Sequence, residues 1–141
     1  MAELQRGLEG VIAAETKISS IIDSQLTYAG YDIDDLAENA QFEEIIFLLW
    51  NYRLPNKEEL QELKSKLYEY MTLNPRVYKH FEEYVTDKVH PMAALRTSVS
   101  YIAHFDPDAE DESDEKKYER AIRIQAKIAS LVTAFARVRE G

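Results

Sequence analysis

A chain of 141 residues, 45% hydrophobic and 30% charged, has the size of one ordinary domain and enough apolar content for a core, which argues against wholesale disorder. Its net charge of −9 argues against general nucleic-acid binding, which needs Lys and Arg on phosphate, and against a basic membrane-surface protein. Cysteine is absent, which removes thiol catalysis, Cys-type zinc sites and disulfides together.

From Gly7 to Tyr31 the pattern is strand-like. Lys17–Ile22 and Gln25–Tyr28 flank Asp23-Ser24 and predict a small hairpin, the only β structure expected. The stretch Asp32–Ala40 reads as one or two helical turns, capped by Asp34 or Asp35. Phe42–Tyr52 (FEEIIFLLWNY) follows as a helix with acids in its first turn and almost no polar face, so burial nearly all round is expected. Leu54-Pro55 ends it.

Asn56 and Glu59 have the spacing of a capping box. The helix they open is predicted from Lys57 to about Leu73, with Leu60, Leu63, Leu67 and Tyr70 inward. Asn74-Pro75 separates it from a shorter helix, Arg76–Tyr84, with Val77, Phe81 and Tyr84 inward. Thr86–His90 then links to a stretch rich in small residues, VHPMAALRTSVSYIAHF. Pro91 suits a first helical turn and pushes His90 into an extended conformation. Met92, Leu95, Val99 and Ile102 make one apolar stripe; Ala94, Ser98, Tyr101 and Phe105 make a second beside it.

Residues 106–115 (DPDAEDESDE) carry seven acids in ten positions and are expected to be a solvated loop. The last helix is predicted from Asp114 to Arg139. Ala121, Ile124, Ile128, Leu131, Phe135 and Val138 form one apolar face, and Tyr118, Ile122, Gln125, Ala129 and Val132 another. Arg120, Arg123, Lys127, Ser130, Ala134 and Arg137 form its polar stripe. Charge is uneven: residues 1–115 hold 10 Lys+Arg against 24 Asp+Glu, and residues 116–141 hold 7 against 2. The helices near 92–105, 114–139 and 42–52 together demand more cover than one compact unit of this size supplies. Missing chain or a second subunit is the expected source.

The search for chemistry yields mostly absences. Gly7, Gly10, Gly30 and Gly141 build no GxGxxG or Walker A loop, and neither GxSxG nor HExxH occurs. His80, His90 and His104 share no metal-ligand spacing. The acidic loop lacks the glycine and ligand alternation of a calcium loop. Arg120, Arg123, Lys127 and Arg137 read as the wet face of a helix, paired with acids elsewhere on the chain, rather than an anion site. Arg96, inside the small-residue helix, is expected to be buried and to need an acidic partner across a helix interface. His90 reads as a hydrogen-bonded residue at the loop-to-helix junction rather than a catalyst. No nucleophile, acid and base assemble from these residues.

The order of segments is more telling than any one residue. GLEGV, Y-x-GYDI, F-x-E-x-x-x-LLW, RLP and above all HPMAALR, in that order, resemble the N-terminal part of a citrate synthase of the shorter bacterial and archaeal type. The resemblance covers residues 7–141. It departs at Ala29, often Arg in the family, and at Ala129, commonly Pro, where a straighter helix is expected. The resemblance implies a mainly α-helical large-domain fragment, with residues 1–31 as an N-terminal segment carrying the hairpin and residues 32–141 as the helical part. It implies a parent acyltransferase of the tricarboxylic acid cycle, joining acetyl-CoA to oxaloacetate to give citrate and CoA. The family's two catalytic histidines lie in HGG-type and GxGH-type segments, and this chain has neither. The implied fragment is therefore inactive alone, with no catalytic, cofactor-binding or metal residues. Acetyl-CoA is a substrate of the parent, not a cofactor of this piece. Some longer members use the HPM histidine in an NADH site; that role is not transferred to His90. The implied partners are a second copy, through helices near 92–105 and 114–140, and the rest of the synthase chain. Neither nucleic acid nor a membrane is an expected partner: no run of about 18 apolar residues is present, MAELQRGLEG lacks a signal-peptide core, and the expected location is the cytoplasm. The alternatives are a 2-methylcitrate synthase fragment, using propionyl-CoA, and a stand-alone helical interaction module.

Overall fold

The computed structural model describes Ile12 and residues 14–84 and 88–141, with Tyr84 by its backbone alone. The GLEGV segment with Gly7 and Gly10, the inward Tyr84 side chain and the start of the Thr86–His90 link lie outside the described residues. The chain divides into two compact units, residues 1–61 and 62–141.

In the first unit, strands β1 (Ser19–Ile22) and β2 (Gln25–Tyr28) pair antiparallel, with Ile22 opposite Gln25. Asp23 and Ser24 both take positive φ (49° and 70°), as a two-residue hairpin turn requires. A third strand, β3 (Tyr31–Asp32), extends the sheet, with Tyr28 opposite Tyr31. It was not expected: two residues are too few for any periodicity. The β2–β3 turn is again two residues at positive φ, Ala29 (48°) and Gly30 (88°). Glycine adopts this conformation freely, whereas alanine pays a Cβ–carbonyl clash of about 1–2 kcal/mol. Ala29→Gly is expected to raise stability by about 0.5 kcal/mol, because relief of that clash exceeds the added unfolded-state entropy of about 0.4–1 kcal/mol. The denaturant midpoint of the variant is the check.

Helix α1 (Ile33–Asn39) is capped by Asp32, whose Oδ1 accepts from the Asp34 N–H at 2.7 Å, and not by Asp34 or Asp35 as expected. The strand-to-helix junction puts Asp32, not its neighbours, in the extended conformation a cap needs. Helix α2 (Phe42–Asn51) stops where Tyr52 turns left-handed. Ile46, Phe47 and Leu48 are buried, but Ile45, Leu49 and Trp50 are half-buried and Phe42 is 67% exposed, so burial all round is not reached.

The capping box forms at α3 (Lys57–Tyr70): Asn56 Oδ1 accepts from the Glu59 N–H and Glu59 Oε2 from the Asn56 N–H, both at 2.9 Å. Arg53 also pairs with Glu59, and these contacts bring that carboxyl down to about 2. The helix ends three residues before the predicted Leu73, and Leu73 instead joins the core of the second unit.

The second unit holds α4 (Pro75–Tyr84), α5 (Pro91–Ile102), a 3₁₀ turn (Ala103–Phe105) and α6 (Asp114–Glu140). Each start is local chemistry. Asn74 Oδ1 accepts from the Arg76 N–H at 2.9 Å ahead of α4, and His90 Nδ1 accepts from the Met92 N–H at 3.2 Å ahead of α5. In both, proline occupies the first helical position. Helices α4, α5 and α6 pack on one another around a cluster that includes Val77, Phe81, Ala94, Ile102, Leu131 and Phe135.

The buried line of α5 runs through Ala94, Ser98 and Ile102, while Leu95 and Val99 are half-buried and Met92 is 63% exposed. The predicted stripe beginning at Met92 is therefore rotated. Small side chains face the neighbouring helices, and Ser98 satisfies its hydroxyl by donating to the Ala94 carbonyl at 2.7 Å. Helix α6 is unbroken over 27 residues, about 40 Å long. Its predicted polar stripe is not uniformly wet: Arg123 and Ala134 are buried.

Candidate functional site

The charged residues singled out in the sequence fall into different places. His90 is the cap of α5, as expected. Arg96 is exposed and makes no ion pair among the described residues, contrary to the expected buried pairing; it lies off the buried Ala94–Ser98–Ile102 line. Arg137 is exposed near the end of α6.

Asp106 to Glu115 is the larger correction, because the loop is not simply solvated. Asp106 leaves the 3₁₀ turn and accepts from the Asp108 N–H at 2.9 Å, which folds the chain back on itself. Arg123, one of the predicted wet residues, reaches this turn from α6. Its Nε donates to Asp106 Oδ2 at 3.0 Å, and its Nη2 to Asp106 Oδ1 at 2.8 Å and to Asp108 Oδ2 at 3.1 Å. This is a two-pronged guanidinium–carboxylate pair, with the Arg123 and Asp106 side chains each only 9% exposed. One helical turn earlier, Arg120 Nη1 donates to the carbonyls of Asp108 (3.0 Å) and Ala109 (2.7 Å). The two arginines hold the loop as a strap across α6. The expectation of pairing with acids elsewhere on the chain holds for Arg123 and, at 4.0 Å from Glu112, for Arg120; the expectation of a wet face holds for Arg137 but not for the buried Arg123.

Burial alone would raise the Asp106 carboxyl, but the Arg123 and Asp108 hydrogen bonds and the charges of Arg123 and Lys127 outweigh it and hold the group below its ordinary value. Lys127, one turn beyond Arg123, is pulled down by burial, which Asp106 opposes and Arg123 reinforces. Sequence reasoning missed this strap. The available signal was an arginine between Ile122 and Ile124, with a carboxylate pair two residues apart just upstream.

A second cluster lies between α4 and the end of α5. His80 stacks on Tyr101 (centroids 4.1 Å apart, 20° between planes), and Tyr101 meets His104 and Phe105 edge-on at 5.8 and 5.3 Å. The hollow beside these rings is also lined by Arg96, Thr97 and Ser100, and its lining has no carboxylate to serve as a base. Among the described residues no three His, Asp or Glu groups converge as metal ligands, and no helix is long and apolar enough to cross a membrane. The structure thus shows a helical scaffold closed by an ion-paired strap.

That scaffold has known counterparts. A family model described as "Citrate synthase, C-terminal domain" matches residues 7–141. The chain is 54% identical over 136 residues to "Citrate synthase 2" of Bacillus subtilis, covering 96% of this chain and 37% of that protein. It is 39% identical over 109 residues to "2-methylcitrate synthase 1" of Corynebacterium glutamicum, covering 76% of this chain and 28% of that one. The solved citrate synthase of Pyrobaculum aerophilum superposes with a TM-score of 0.84 at 30% identity, over 96% of this chain and 36% of that chain. The chain belongs to the citrate synthase family. It spans a little over a third of the length of the first of these relatives.

Proposed function

We propose that these residues are part of the large domain of a citrate synthase that joins acetyl-CoA to oxaloacetate, releasing citrate and CoA, in the cytoplasm and the tricarboxylic acid cycle. The observation that carries this reading is the 54% identity to a citrate synthase across 96% of the chain. In this reading residues 1–31 are its leading segment and residues 32–141 its helical part. The catalytic histidines and aspartate belong to segments other than these 141 residues, and no acid–base–nucleophile set among the described side chains competes for that role. The contribution of this part is structural: α5 and α6 give their outer faces to a second copy of the protein. Supporting this, Met92 and Val132 stand 63% and 48% exposed, and Val132 lines one small apolar hollow with Pro91 and Leu95.

The test is an assay of CoA thiol release from acetyl-CoA and oxaloacetate. The 141-residue chain alone is expected to give none above buffer, and a longer product of its gene carrying HGG and GxGH segments is expected to turn over. Turnover by the chain alone would refute the inert role. The 39% identity to a 2-methylcitrate synthase supports a second reading, with propionyl-CoA as acyl donor. Relative rates of the longer protein with the two thioesters separate them, and acetyl-CoA is expected to be preferred.

A further inference from the structure

Behind the strap, between the C-terminal end of α5 and the first half of α6, lies a cavity of about 220 Å³. An apolar cavity of about 150 Å³ is enough to hold benzene, so this one has room for a ring carrying one small polar group. Ile102 and Ile124 give it apolar walls; Asp106, Arg120, Arg123 and Lys127 give it its charge. The charges are not equally available. Arg123 is matched by Asp106 and Asp108, and Arg120 is engaged by loop carbonyls. Lys127 is half-buried and has no hydrogen bond or ion pair among the described residues, although it lines the cavity. The α5 wall offers it only apolar side chains. The loop offers Asp106, already held by two prongs of Arg123, and its own helix adds the like charges of Arg120 and Arg123. A half-buried ammonium in such a setting has lost water and gained only the longer-range charge of an Asp106 already shared with Arg123, with no direct ion pair in return.

We propose that this cavity is a binding site for a small organic monoanion with an apolar body, an aromatic or medium-chain carboxylate. The carboxylate pairs with the Lys127 ammonium and the body lies against Ile102 and Ile124. This assignment does not depend on the chain's being part of a citrate synthase. Binding favours protonated Lys127, so affinity rises as pH falls through the titration of that amine, until the ligand's own carboxylate protonates.

The experiment is titration of the 141-residue chain with sodium benzoate, followed by amide and lysine side-chain NMR. Saturable shifts centred on Ile102, Ile124 and Lys127 are expected, with benzyl alcohol at least about tenfold weaker, as loss of a charge-assisted hydrogen bond implies. Lys127→Met is expected to weaken benzoate binding by about tenfold or more. Lys79→Met, on an exposed position of α4, is expected to leave it unchanged. Ala103→Phe, which adds bulk at a residue lining the cavity, is expected to weaken it strongly, and far-ultraviolet circular dichroism checks that each variant is folded. No saturable shift up to tens of millimolar benzoate, or an unchanged affinity in folded Lys127→Met, would overturn the assignment.

Discussion

Arg123→Ala is expected to destabilise the chain by about 3 kcal/mol, the cost of leaving a buried carboxylate without its cation. The Asp106 side chain is 9% exposed and takes two donors from Arg123. Without them the carboxylate keeps only the Asp108 N–H and the charge of Lys127. Urea unfolding monitored by circular dichroism measures the loss. Arg123→Lys is expected to recover only part of it, because an ammonium cannot reproduce the planar fork. The double variant Arg123→Met/Asp106→Leu is expected to recover most of it, since two apolar residues leave no orphaned charge. A full 3 kcal/mol loss in the double variant would mean that packing, not charge, holds the strap. The pH dependence has a definite sign. The Asp106 carboxyl lies lower in the folded state than its ordinary value of 3.8. Its contribution is therefore complete above that value and is lost as pH falls through the folded-state pKa. Arg123→Ala is expected to flatten that acid limb of the stability curve.

Phe81→Ala is expected to cost about 4 kcal/mol, the middle of the range for removing a buried aromatic ring. Phe81 is 1% exposed, lies edge-on to Phe135 at 6.2 Å, and lines a small hollow together with Leu95 of α5 and Leu131 of α6. Deletion leaves a void beside an existing hollow of about 40 Å³, so collapse is limited. Phe81→Leu is expected to lose less than half as much. The two costs are expected to add when combined with Arg123→Ala, because the strap and this cluster share no residue.

What the sequence made legible was what depends on neighbours in the chain. The Asn56–Glu59 box, Asn74-Pro75 and His90-Pro91 each carry their own start signal within three residues, and all three helices begin there. The hairpin turn at Asp23-Ser24 is equally local. The family was legible for another reason: several short motifs recur in one order along the chain. What could not be read was any property set by a distant partner. Periodicity gives α5 two apolar stripes but not which of them α4 and α6 will cover, and the covered line proved to be Ala94–Ser98–Ile102. Composition makes the acidic loop look solvated because seven carboxylates repel one another. The side chain that overrides this for Asp106 and Asp108 is Arg123, 17 and 15 residues away. Arg96 failed in the opposite direction. Its small neighbours predict burial, but it lies off the buried Ala94–Ser98–Ile102 line and stands in solvent.

The most direct test of the proposed role of this chain is its mass in solution. Sedimentation equilibrium of the pure 141-residue chain at micromolar concentration is expected to give twice the 16.3 kDa chain mass. Met92→Glu combined with Val132→Glu, at two exposed positions, is expected to return a folded monomer. A native chain that runs as a clean monomer at those concentrations would contradict the assignment of the outer faces of α5 and α6 to a second copy.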